Sequence, residues 1–62
     1  MMYEKIKAFC DKVGISVQQF ETICGVSSGY VAKLKRSEPG VRTAKRIAEV
    51  MGITIEELMK DE

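Results

Sequence analysis

An all-α fold of five short helices is what this sequence predicts, and three observations predict it. Apolar residues recur at spacings of three and four. Gly14, Gly25, Pro39-Gly40 and Gly52 separate the stretches in which they do so. No segment alternates over a useful length with the period of two that a half-buried strand requires.

The first helix, about residues 2–13, is read from Met2, Ile6, Phe9 and Val13, one stripe of an amphipathic helix closed by Gly14. Ser16-Val17-Gln18-Gln19 is a Ser-x-x-Gln capping box, so a second helix runs over 17–24. Phe20, Ile23 and Cys24 are expected to face the core, and Gly25 stops this helix. Ser27 is a suitable N-cap for a third helix over 28–36. At about 100° per residue, its Tyr30, Val31 and Leu34 share one side. Ser28, Gly29, Ala32, Lys33 and Arg36 share the other.

After the Glu38-Pro39-Gly40 loop, with Gly40 as N-cap, a fourth helix over 41–51 buries Val41, Ala44, Ile47, Ala48 and Met51. Gly52 ends it. Thr54-Ile55-Glu56-Glu57 is a second capping box opening a fifth helix over 55–60, with Leu58 and Met59 inward. Ile6, Phe9, Phe20, Val31, Leu34, Ala44, Ile47, Met51 and Leu58 are the expected core.

Sixty-two residues make one domain, residues 1–62, able to bury only about 60% of the surface its unfolded chain exposes. No apolar run approaches the roughly 20 residues of a membrane span, and no signal-peptide pattern opens the chain, so a cytoplasmic location is expected. Cys10 and Cys24 form neither a disulfide framework nor, without His, a zinc site; buried reduced thiols are expected. An enzyme is not expected: nothing pairs a nucleophile with a base, and no glycine loop cradles phosphate. Neither a cofactor nor a metal is called for.

The formal net charge of +1 conceals a polar distribution. Residues 1–32 are neutral. Residues 33–46 set Lys33, Lys35, Arg36, Arg42, Lys45 and Arg46 against Glu38, a net of +5. Residues 47–62 set Lys60 against Glu49, Glu56, Glu57, Asp61 and Glu62, a net of −4. The basic block crosses a helix end, a loop and the next helix, which suits one surface patch.

Residues 14–37, G-I-S-V-Q-Q-F-E-T-I-C-G-V-S-S-G-Y-V-A-K-L-K-R-S, resemble the helix-turn-helix of the Cro and phage-repressor family, also called the xenobiotic-response-element family. The stretch E-P-G-V-R-T-A-K-R-I-A-E-V-M-G-I-T-I-E-E-L is similar to that family's fourth and fifth helices, so nearly the whole chain is covered. The resemblance implies a five-helix, lambda-repressor-like DNA-binding fold with its motif at about 17–36. It further implies a sequence-specific transcriptional regulator of phage or mobile-element type, repressor-like, with double-stranded DNA as partner and a homodimer formed on it.

In such a fold the second motif helix enters the major groove. The base-reading candidates are then Gln18, Ser27, Ser28, Gly29, Ala32 and Lys33. Ser28 can hydrogen-bond a base or phosphate, Ala32 can pack on a thymine methyl, and Lys33 can reach guanine acceptors. Lys35, Arg36, Arg42 and Arg46, with Val17, are the phosphate candidates, which set position rather than sequence. Ile53, Ile55 and Met59 are candidates for a dimer face, and no small-molecule effector is expected. Two positions depart from the family pattern. Val17 stands where Gln is common, and Glu21 where a small residue is common. A buried lone carboxylate is costly, so Glu21 is expected to turn to solvent or to pair with a cation. A protein-interaction module, or an antitoxin-type regulator, on the same fold is the alternative.

Overall fold

The computed structural model describes residues 2–60. Among these residues five helices run in order: α1 (Met2–Val13), α2 (Val17–Cys24), α3 (Tyr30–Lys33), α4 (Val41–Met51) and α5 (Ile55–Met59). The described residues contain no strand. Both capping boxes form. The Ser16 hydroxyl accepts from the Gln19 N–H at 3.0 Å while the Gln19 side chain accepts from the Ser16 N–H at 2.8 Å. Thr54 and Glu57 repeat this at 3.0 and 3.2 Å.

One core joins the helices. Ile6 and Cys10 of α1, Phe20 and Cys24 of α2, Val31 and Leu34 of the α3 region, Ala44, Ile47 and Ala48 of α4 and Leu58 of α5 are all buried. Helix α1 touches α2, α3 and α5, and α4 packs on α2 and α5. Phe9 and Phe20 meet edge to face, centroids 5.8 Å apart. Both cysteines are free and buried, and burial pushes their thiols up from the ordinary value. The two ends of the fold are tied by Lys5, whose ammonium donates to the carbonyls of Glu57 at 2.9 Å, Leu58 at 3.0 Å and Lys60. That is a C-terminal cap for α5, supplied from α1, with the cation at the negative end of the helix dipole.

Several expectations need correction. Ile23 is 50% exposed, Val41 78%, Val13 51% and Met59 37%, whereas all four were expected inside. In α2 the buried residues are Phe20, Glu21 and Cys24. Taking the 21 position inward turns Ile23 toward the rim. Val41 is the first residue of α4, where the stripe has run past the packed neighbours. Phe9 and Met51 are only partly buried, packed against the core rather than within it.

The largest difference is α3. Instead of 28–36, the α-helix occupies four residues, and Gly29 rather than Ser27 is its N-cap. Gly29 has φ +87°, left-handed backbone that interrupts a helix and that L side chains adopt at a steric cost. Ser27 contributes its carbonyl, accepting from the Tyr30 N–H at 3.1 Å. Beyond Lys33 the chain continues in tight turns: Leu34 donates to Val31, Lys35 to Ala32 and Arg36 to Lys33, at 3.0, 3.3 and 3.0 Å.

Candidate nucleic-acid interface

The site is built around the turn between α2 and α3. Gly25, at φ +75°, ends α2 by donating to the carbonyls of Glu21 and Thr22, and the Val26 N–H also reaches the Glu21 carbonyl at 3.0 Å. These bonds close a Schellman-type end and send the chain back across α2. Val31 and Leu34, 1% and 4% exposed, then root the following segment in the core. Tyr30 is partly buried against it.

Glu21 is the feature that residue patterns did not reveal. It is 5% exposed, neither turned to solvent nor paired with a cation among the described residues. Its Oε1 accepts from the Gly29 N–H at 3.2 Å and its Oε2 from the Val31 N–H at 2.9 Å. The desolvation cost that argued against burial is offset by backbone N–H groups donating to both carboxylate oxygens. These partners lie eight and ten residues further along the chain, beyond the reach of a local capping pattern.

With the segment rooted by Val31 and Leu34, its other side is open. Ser27, Ser28, Gly29, Ala32 and Lys33 are exposed, and so is Gln18 on α2. Five of the six base-reading candidates therefore lie on one short segment, and Gln18 on the helix before it. The cations of the basic block, Lys33, Lys35, Arg36, Arg42, Lys45 and Arg46, are all exposed as well.

Two phosphate candidates stand apart. Lys35 places its ammonium over the Tyr3 ring, 4.6 Å from the centroid, a cation–π contact that draws it toward α1. Val17 packs its side chain against the core, leaving its backbone N–H as what it can offer an anion. Of the dimer-face candidates, Ile53 and Ile55 are partly buried against the core and Met59 is exposed. Among the described residues no cluster of potential metal ligands occurs, and no helix is long and apolar enough to cross a membrane.

The helix-turn-helix family profile matches residues 6–58, from α1 to α5. No curated protein and no solved structure matches the chain. A match over that span, on five helices with a rooted α3 segment whose outer side is bare and basic, means that the chain belongs to the Cro/C1-type helix-turn-helix family of DNA-binding domains.

Proposed function

We propose that residues 1–62 form a single regulatory domain that binds double-stranded DNA in a sequence-specific, repressor-like manner. In this reading the α3 segment enters the major groove, with Ser28, Ala32 and Lys33 against base edges and Gly29 allowing close approach of the backbone. Gln18 and Ser27 lie at the groove's margin. Arg36, Arg42 and Arg46, with the Val17 N–H and Lys35 in lesser parts, hold phosphates and fix the register.

The observation that carries the reading is the two-sidedness of the segment from Ser28 to Leu34: Val31 and Leu34 are buried while Ser28, Gly29, Ala32 and Lys33 are exposed. A bare outer side beside this many cations suits close approach to a polyanion. Operators of two-fold symmetry, with half-sites about 34–36 Å apart, would be bound by two copies. Free thiols and a DNA ligand both suit the cytoplasm.

Fluorescence anisotropy on duplex DNA across a salt series tests this. The expected result is binding whose log affinity falls linearly with log salt, with a duplex recovered by in vitro selection preferred over random sequence. Absence of salt-dependent binding even at high micromolar protein would favour a protein-interaction module, with the bare α3 face as the seat of a partner.

A further inference from the structure

We propose that Glu21 is a positioning residue for DNA reading, a buried carboxylate clamp that sets the pose of the α3 segment; this rests on the DNA-binding function proposed above. Four observations converge on it. Helix α3 has four residues, too few to hold itself, because nucleating one helical turn is unfavourable in isolation. Its N-cap is Gly29, which has no side chain with which to cap. The Glu21 carboxylate takes up the Gly29 and Val31 N–H groups with separate oxygens, at 3.2 and 2.9 Å. The Glu21 carbonyl meanwhile accepts from Gly25 and Val26 at the other end of the same turn.

One residue thus brackets the chain from Gly25 to Val31, through its carbonyl at one end and its carboxylate at the other. Ser27, Ser28 and Gly29, three of the base-reading candidates, lie within that bracket, and Ala32 and Lys33 follow directly. The clamp has a second consequence. It engages the Gly29 and Val31 N–H groups internally, so neither is available to an anion at this end of α3. Contact with DNA here is therefore left to the side chains and the bare backbone surface, and phosphate binding falls to the basic residues further along. A clamp of this kind governs the geometry of base contacts far more than the number of phosphate contacts.

The test compares wild type, Glu21→Gln and Glu21→Ala by amide hydrogen exchange and by anisotropy on a selected duplex and a random one. All are measured at a temperature where circular dichroism shows each protein folded. Gln preserves the shape of Glu but offers one acceptor to two N–H groups. Glu21→Gln should raise exchange at Gly29 and Val31 and lower selected-site affinity, each by about tenfold, the scale of one lost buried hydrogen bond. Random-duplex affinity should stay within about twofold, since it is set by phosphate contacts. Glu21→Ala should show the same pattern more strongly.

An unchanged ratio of selected to random affinity would overturn the proposal, whether or not the two amides loosen. So would equal loss on both duplexes with faster exchange in every helix, or failure of Glu21→Gln to fold, since either makes Glu21 a requirement of the fold alone. Should wild-type protein bind neither duplex, the DNA reading itself fails. Exchange at Gly29 and Val31 would then still report whether the clamp exists.

Discussion

Helix α4 runs for eleven residues and is specified by its own sequence, whereas α3 runs for four and is held by residues outside it. In α4 the inward Ala44, Ile47 and Ala48 recur at helical spacing, and Gly52 closes the helix with its N–H on the Ala48 and Glu49 carbonyls. Enough turns form for each added hydrogen bond to follow a helix already nucleated. In α3 the amides of the Gly29 cap and of Val31 are taken by Glu21 from α2, the cap is a left-handed glycine, and the last turns tighten into i→i+3 bonds. The lesson is that a short helical segment takes its pose from its neighbours. Such a segment is sensitive to changes in residues that never touch the ligand.

Removal of the buried anchors should have the largest effect on both helices. Leu34→Ala and Ile47→Ala each delete a nearly fully buried branched side chain, and each should cost about 2–5 kcal/mol. For a domain this small that is a large part of the total stability. Thermal melts of the two variants check it. An unshifted melt for Leu34→Ala would mean that the α3 segment is not rooted in the core.

A smaller effect separates two caps. Gly29 (φ +87°) and Gly40 (φ −65°) both precede helices, and a Cβ at either would meet nothing within 4 Å. Only backbone conformation distinguishes them. Gly29→Ala should therefore cost about 1–2 kcal/mol, while Gly40→Ala, on extended backbone that alanine adopts freely, should cost less, within about 1 kcal/mol. Equal losses in denaturant unfolding would contradict the left-handed turn at Gly29.

Smaller again is the effect of Lys5→Ala, which removes the cation over the carbonyl end of α5. About 1 kcal/mol of stability should be lost, within the range of a charge at a helix terminus. The loss should diminish at high salt. Affinity for random DNA should stay unchanged when the variant is folded, since Lys5 lies outside the basic block. A salt-independent loss would mean that the stem of Lys5 matters through packing instead.

The same contrast explains what could be read in the chain beforehand. Both capping boxes, the loop at Pro39-Gly40 and the extents of α1, α2 and α4 depend on residues within four positions of one another, and they were legible. Glu21 reaches Gly29 and Val31, and Lys5 reaches Glu57, Leu58 and Lys60, across separations that no periodic pattern encodes. Helical spacing also placed Ile23 and Val41 inside. It could not show that a carboxylate takes part of the inner face of α2, or that the α4 stripe outruns its neighbours. For the candidate site, the exposure of Ala32 and Lys33 followed from the inward spacing of Val31 and Leu34, whereas Ser28 lies ahead of the left-handed Gly29 and outside the helix. The turn that presents them, and the diversion of Lys35 onto Tyr3, arise from packing between helices.

On the proposed function, the α3 segment reads sequence while the neighbouring cations hold the backbone. Its most direct test sets Lys33→Ala in α3 against Arg42→Ala in α4, by anisotropy on a selected site and on random duplex across a salt series. Arg42→Ala should weaken binding to both duplexes alike and reduce the salt slope by about one phosphate contact. Lys33→Ala should cost about 1–3 kcal/mol on the selected site, with little loss on random DNA, and relax the preference at one base position. If Lys33→Ala instead weakens both duplexes equally and leaves every base preference intact, α3 is not the reading element.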